Sequence, residues 1–253
     1  MKTFVNIGPS RSGTTSTYEI LKQHPDVDVG LTKEPMYLGY DLVEYLSICN
    51  LNKKVFIDGS PNLIYKDINI KQELKHYFND FKFICILRNP KLYITSKFFV
   101  SYIYSNRSTE HFDLNDLIRN HKFSFKKFKN NIKNEKYKWY KNIDIYLYSN
   151  ILKRAEVQYG LNNILITSID SSSFIDDIFN FLNLKISSNI KKVEFNKTMN
   201  NIKDIDSMGI YCKIKKEVFS CTKINKILKN DFQYIDKTYN TKFSDFYKDV
   251  FFK

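Results

Sequence analysis

The strand-forming run Thr3-Phe4-Val5-Asn6-Ile7 leads straight into Gly8-Pro9-Ser10-Arg11-Ser12-Gly13-Thr14-Thr15, and no other stretch of the 253 residues limits the fold as tightly. A strand that ends on glycine and reopens as a helix after a second glycine turns the backbone N–H groups of the helix start toward one point, where an anion is held. Strand-like and helix-like segments then alternate over most of the chain, which predicts a parallel sheet with helices on both faces. The spacing is that of the triphosphate loop G-x-x-x-x-G-K-[ST], except that Thr14 stands where the lysine belongs. The cation that reaches a terminal phosphoryl group is missing, and Arg11 restores a charge at another point of the loop. The loop therefore predicts a phosphate-containing group donor other than ATP with magnesium.

The rest of the chain agrees with an α/β class, a P-loop-type three-layer α/β/α arrangement around a central parallel sheet of about five strands. Strands are expected over Thr3 to Ile7, Val27 to Val29, Val55 to Asp58, Phe81 to Leu87 and Asn163 to Thr167. Helices are expected over Thr14 to Gln23, from Pro90 to about Tyr104, over Ile143 to Tyr159, and over Ser171 to Leu182 with Ser171 or Ser172 as cap. All five prolines fall within the first 90 residues, at the ends of these elements, so the first third is the most sharply shaped part. Neither an internal repeat nor a Gly/Ser/Pro-rich linker divides the chain, and a single domain spanning 1–253 is expected.

A 43% hydrophobic and 16% aromatic composition supplies an ample core. The net charge of +13 attracts any polyanion and does not choose among them, more so because the abundance of Lys, Asn, Ile, Phe and Tyr matches an AT-rich coding bias. Four cysteines, at 49, 85, 212 and 221, are too few for a disulfide scaffold; only Cys212 and Cys221 are close enough in sequence to suggest a bridge. The first residues lack a signal-peptide pattern, which predicts a cytoplasmic protein or a soluble catalytic domain trimmed from a secretory-pathway one. No apolar run approaches the ~20 residues of a membrane span.

A second motif, Ile86-Leu87-Arg88-Asn89-Pro90 with Ser96 eight residues after the arginine, stands at the carboxyl end of the central strand. Ligands of open α/β sheets bind just beyond such ends. Arg88 and Ser96 are suited to clamp one anion, guanidinium and hydroxyl together.

Together, Gly8 to Thr15, Lys33-Glu34-Pro35, Ser60-Pro61-Asn62 and Arg88-Asn89-Pro90 through Ser96 make the chain resemble the sulfotransferases that use 3'-phosphoadenosine 5'-phosphosulfate (PAPS), most closely their heparan sulfate branch. Tyr148, Leu152, Ala155, Tyr159-Gly160, Phe181-Leu182-Asn183-Leu184 and Phe195-Asn196-Lys197-Thr198 extend the resemblance over nearly the whole chain. It implies a five-stranded parallel sheet, no metal, and PAPS as donor with 3'-phosphoadenosine 5'-phosphate (PAP) as product. Pro9, Ser10, Arg11, Ser12, Gly13, Thr14 and Thr15 are then the 5'-phosphosulfate loop, and Arg88 and Ser96 the 3'-phosphate ligands, with Lys197 and Lys223 as further cofactor contacts. Glu34 is the implied general base, Arg11 and Lys33 the cations beside the reaction centre, and Ser60, Pro61 and Asn62 the acceptor side. The acceptor implied is a hydroxyl or amine, on a carbohydrate or small molecule.

Sulfuryl transfer suits the missing lysine, since the moving group carries less charge than a phosphoryl group and loop amides with one cation suffice. The chain also departs from the family. Asp58-Gly59 precedes Ser60-Pro61 where a lysine is usual, ten residues separate Thr198 from Gly209-Ile210-Tyr211-Cys212, and Lys223 with Lys226 stands in for a basic cofactor loop. Cys212 and Cys221 resemble that branch's disulfide pair.

His24 and His76 read as structural, on a helix-ending turn and a helix, and His111 and His121 belong to no motif. The lysine- and aromatic-rich segment Lys122 to Lys141 reads first as an amphipathic solvated face. Two other functions compete with PAPS-dependent transfer. One is a P-loop nucleotide kinase or hydrolase, against which the absent lysine argues. The other is a basic nucleic-acid-binding module, which two anion motifs make unnecessary.

Overall fold

A computed structural model describes residues 2–35, 42–50, 52–61, 63–65, 69–105, 147–186, 190, 205–220 and 222–252. The chain packs as two compact units: Met1–Arg88 with Ile151–Lys197, and Asn89–Asn150 with Thr198–Lys253.

The first unit is built on a five-stranded sheet of β1 (Thr3–Gly8), β2 (Val27–Asp28), β3 (Val55–Asp58), β4 (Asp80–Leu87) and β5 (Ile164–Ser168) in the order β2-β3-β1-β4-β5. Every pairing is parallel, with Asn6 opposite Asp58 across β1 and β3, and Gly8 opposite Cys85 across β1 and β4. The expected five parallel strands are therefore present, β3 at the residues predicted and β2 one residue shorter.

Strand alternation sorts the two faces by chemistry. Val5, Ile7, Val55, Ile57, Ile84 and Ile86 form an aliphatic face against Tyr18, Ile20 and Leu21 of α1 (Thr14–Leu21) and Phe174, Ile178 and Phe179 of α6 (Phe174–Phe181). Each of these side chains is buried, worth about 1.5–3 kcal/mol apiece. The intervening residues make an aromatic face: Phe4 lies 6.1 Å from Phe56, 5.6 Å from Phe78 and 5.9 Å from Phe81, ring centre to ring centre. Helices α2 (Leu42–Ser47), α3 (Ile70–Leu74) and most of α5 (Tyr148–Tyr159) belong to this unit; Tyr45 meets Phe56 edge-on at 6.2 Å, and Tyr159 stacks on Phe83 at 5.6 Å. Asn6 and Asp58 share the aromatic face's register and are fully buried.

Several helix ends differ from expectation for local reasons. Helix α1 stops at Leu21, not Gln23, because Gln23 N–H and His24 N–H bond back three residues to Ile20 and Leu21, and Pro25 follows. His24 is structural as expected: Asp26 N–H donates to Nδ1, so Nε2 carries the proton toward the Lys185 carbonyl at 3.1 Å. His76 lies in the turn after α3 rather than on a helix. Helix α5 starts at Tyr148, not Ile143, whose own position lies outside the described residues. The cap position of α6 is Ser173 rather than Ser171 or Ser172; its side chain makes no capping bond, and its own N–H donates to the Ser171 hydroxyl at 3.2 Å.

The second unit is helical: α4 (Pro90–Ser105), the first turn of α5, α7 (Ile205–Ser220), α8 (Thr222–Tyr239), α9 (Phe243–Phe246) and α10 (Lys248–Phe252). Tyr148 is its hub, stacked on Tyr93 at 4.7 Å and edge-on to Phe232 at 5.7 Å. Asp231, nearly fully buried, accepts the N–H groups of Tyr148 and Ser149 and so caps α5. Cys212 is a free, exposed thiol on α7, while Cys221 lies outside the described residues. The same holds for His111, His121 and the segment 122–141. Among the described residues no helix is long and apolar enough to cross a membrane.

Candidate functional site

Loop 9–13 joins β1 to α1, and its shape depends on two left-handed residues, Arg11 at φ 71° and Gly13 at φ 110°. Gly13 suits this twice. A side chain resists its φ, and a Cβ there would stand 2.2 Å from Ile169 Cδ1, at the end of β5. The Gly8-Pro9 bond is cis. Ser12 is fully buried and donates its hydroxyl to the Pro9 carbonyl, which braces the loop from within. Ser10, Arg11, Gly13 and Thr15 are half-exposed, and Thr14 and Pro9 are buried.

Arg88 leaves β4 half-buried and donates from Nη1 to the Arg11 carbonyl at 3.0 Å. The two sequence motifs thus meet within the first unit, through a side chain of one and the main chain of the other. Ser96 belongs to α4 of the second unit, where it is buried. Lys197 and Asn62 lie outside the described residues, as does the side chain of Lys223 in the first turn of α8.

Lys33 and Glu34 arrive on the loop that follows β2. Lys33 Nζ lies 3.5 Å from Thr14 Oγ1 and 2.6 Å from Glu34 Oε1. The ammonium absent from position 14 of the sequence is therefore supplied next to Thr14 by a residue nineteen positions later. Their side chains are 21% and 42% exposed, so this pair is reachable by a ligand in a way that Ser60 and Pro61, both buried, are not. Ser60 and Pro61 sit in the turn after β3, and the Ser60 main chain is engaged at both ends: its N–H donates to Asp58 Oδ1 at 2.7 Å and its carbonyl accepts from Asn6 Nδ2 at 3.0 Å.

Beneath this site lie Asn6 and Tyr45, which no sequence motif marks, and Asp58-Gly59, which the sequence shows only as a departure from the family pattern. Asp58, fully buried, also accepts the Tyr45 hydroxyl at 2.6 Å, and Asn6 Nδ2 reaches the Asp58 carbonyl at 3.1 Å. Gly59 N–H donates to the Lys33 carbonyl at 3.0 Å. Burial raises the pKa of the Asp58 carboxyl, the donors of Ser60 and Tyr45 pull it down, the Glu34 carboxylate raises it further, and the net direction is up. The available signal was Asn6, a polar residue inside an otherwise apolar strand.

This arrangement can hold an anion and take up a proton. Arg11 and Lys33 are cations at the loop, and Glu34 is a carboxylate beside one of them. Among the described residues no group of three or more His, Cys, Asp or Glu side chains is set to hold a metal ion. The donor set here, amides, hydroxyls and cations, fits a phosphate-ended organic anion.

No protein-family model and no curated protein matches the chain. Among solved structures it is similar to a sulfotransferase from Alicyclobacillus acidocaldarius, 16% identical, with 90% of this chain and 96% of that chain covered and a TM-score of 0.49. The functional reading rests on this chain's own residues.

Proposed function

We propose that this protein moves a sulfuryl group from PAPS to a hydroxyl or amine acceptor, above all one on a carbohydrate. Glu34 is its general base and Arg11 and Lys33 its charge-stabilising cations. The observation that carries this reading is Lys33 Nζ at 3.5 Å from Thr14 Oγ1 and 2.6 Å from Glu34 Oε1, at the helix start of the phosphate loop. A proton acceptor and a cation stand side by side where a donor's terminal group is expected to end.

Residues 9–15 would hold the 5'-phosphosulfate through main-chain N–H groups and the helix start, and Arg88, which already reaches that loop, the 3'-phosphate. When bound, PAPS supplies the sulfuryl group and a leaving group that departs as a stable phosphate. Glu34 takes the proton that the acceptor hydroxyl or amine must lose, a contribution of about 10²–10⁴ in rate. Arg11 and Lys33 neutralise charge that grows on the departing oxygen, and loss of such a fixed contact typically costs ~10²–10³. The buried Ser60-Pro61 turn supports the acceptor side from beneath.

Phosphoryl transfer from ATP is the competing reading, since Lys33 returns a cation to the loop. P-loop enzymes of that kind hold magnesium with a loop hydroxyl and an acid carried on a strand near the loop. Asp58 ends the strand beside β1, yet its carboxylate is fully buried and already accepts from Tyr45 and Ser60. That commitment favours the sulfuryl reading.

The test is Glu34→Ala. Calorimetry with PAP should give a dissociation constant within about threefold of the parent, while transfer of radiolabelled sulfate to a panel of glycans, phenols and small alcohols falls by ~10²–10⁴. A parent protein that is folded but gives no heat with PAP, and instead turns over ATP with magnesium, would overturn the proposal.

A further inference from the structure

We propose that Asp58 is a positioning residue: its buried carboxylate shapes the Asp58-Gly59-Ser60 turn, and the turn fixes Lys33 and Glu34 over the phosphate loop through the Gly59 amide. The inference rests on the reading of Lys33 and Glu34 given above.

The geometry runs as an unbroken chain of contacts within the first unit. Oδ1 of Asp58 takes the Ser60 N–H at 2.7 Å, closing a turn from the carboxylate to the amide two residues on. Oδ2 takes the Tyr45 hydroxyl at 2.6 Å, which ties the same carboxylate to α2. Asn6 Nδ2 bridges the carbonyls of Asp58 and Ser60 at 3.1 and 3.0 Å, which ties the turn to β1 two residues before the phosphate loop begins. Closed on itself and tied to α2 and to β1, the turn presents the Gly59 N–H to the Lys33 carbonyl at 3.0 Å. The approach is so close that a Cβ on Gly59 would stand 2.6 Å from that carbonyl oxygen and 2.9 Å from Lys33 Cγ. Lys33 then reaches Thr14 Oγ1 and Glu34 Oε1.

A carboxylate is what this place requires. Two donors of different elements converge on its two oxygens, and an amide offers only one acceptor oxygen, so its NH₂ would face either the Tyr45 hydroxyl or the Ser60 N–H. A buried charge is costly to keep, and here both carboxylate oxygens are engaged in holding the turn to its neighbours.

The test compares Asp58→Asn, Tyr45→Phe and Gly59→Ala, the last of which displaces Lys33 by bulk and leaves the carboxylate unchanged. Two readouts are taken. The first is pulse acetylation of Lys33, measured by mass spectrometry against exposed Lys54 in the same sample, and it needs no catalysis. The second is the division of turnover between kcat and KM at saturating PAPS, with PAP affinity by calorimetry. We expect Lys33 acetylation to rise several-fold in Asp58→Asn and Gly59→Ala, and by less in Tyr45→Phe. We expect kcat to fall by about tenfold or more with PAP affinity within about threefold, as for a misplaced but present catalytic pair. If Asp58→Asn does not fold, Gly59→Ala and Tyr45→Phe give the same comparison. Folded variants with parental Lys33 acetylation and parental kcat would overturn the inference. A rise in Lys33 acetylation in the variants, when the folded parent neither binds PAP nor transfers sulfate, would uphold the positioning role and overturn the sulfuryl reading instead.

Discussion

The Arg88 guanidinium donates through Nη1 to the main-chain carbonyl of Arg11 at 3.0 Å, so the arginine that ends β4 also sets the path of the loop after β1. This contact gives Arg88 a role before any ligand arrives. Removing a charged donor from a half-buried carbonyl typically costs about 1.5–3 kcal/mol. Arg88→Ala is therefore expected to lower stability in urea unfolding by that order and to abolish heat with PAP. Arg88→Lys keeps the charge but loses the planar fork, and should fall between the two. Undiminished PAP affinity in folded Arg88→Ala would remove Arg88 from the cofactor site.

Gly13 combines a left-handed φ of 110° with an approach of 2.2 Å between a hypothetical Cβ and Ile169 Cδ1. The second strain is cheap to relieve, because the clashing atom ends a flexible side chain; the first is not, at roughly 1–2 kcal/mol for an L-residue. Gly13→Ala should therefore destabilise by that amount, and adding Ile169→Val should recover little of it. Full recovery in the double variant, read from urea midpoints, would show that bulk rather than backbone dictates glycine here.

Much of this architecture is legible in the sequence, for reasons that differ by element. β3 is readable to the residue because Val55-Phe56-Ile57 is apolar on both faces and Gly59-Ser60-Pro61 stops it. The phosphate loop is readable because its constraint is local: two glycines at fixed spacing between a strand and a helix. The Lys33–Thr14 contact is not, since it depends on a third segment, the Gly59 amide, which depends in turn on Asp58 and on Tyr45 from α2. Asp58 shows in sequence only as a departure from the family pattern at the end of a strand, and the register that sets it opposite Asn6 shows it to be internal. Helix α8 carries Ile224, Leu228, Phe232 and Ile235 at helical spacing, all buried, but no chemistry-bearing motif draws attention to it.

The thiols offer a check on packing that is independent of function. Cys49 is partly buried, and its Sγ donates to the Tyr45 carbonyl at 3.4 Å; burial pushes its pKa up to about 12. Cys85 is fully buried in β4, and Cys212 is exposed on α7. Since the thiolate is the reactive form, a maleimide applied to the native protein at pH 7.5 should label Cys212 and spare Cys49 and Cys85 until denaturant is added. Early labelling of Cys85 would contradict the sheet order that buries it between β1 and β5.

The turn from α8 into α9 should carry a distinct acid sensitivity. Asp236 accepts Thr241 Oγ1 at 2.6 Å and the N–H groups of Phe243 and Ser244 at 2.7 and 2.8 Å, which caps α9. Burial works to raise its pKa, but the donors of Ser244, Thr241 and Phe243 prevail and hold the carboxyl below its ordinary value of 3.8. A carboxyl whose folded pKa is lowered binds fewer protons in the folded than in the unfolded state, so its stabilisation is fully present above the unfolded pKa and is lost as pH falls through the folded one. Asp236→Asn, with one acceptor oxygen in place of two, should cost about 1–2 kcal/mol near neutrality, as loss of a cap does. The deficit relative to the parent should shrink once pH falls below about 3.8, because the parent's own carboxyl is then becoming protonated. Urea midpoints for the two proteins between pH 2.5 and 7 measure this directly, and a deficit that stays constant or grows toward low pH would mean that the carboxylate charge is not what holds the turn.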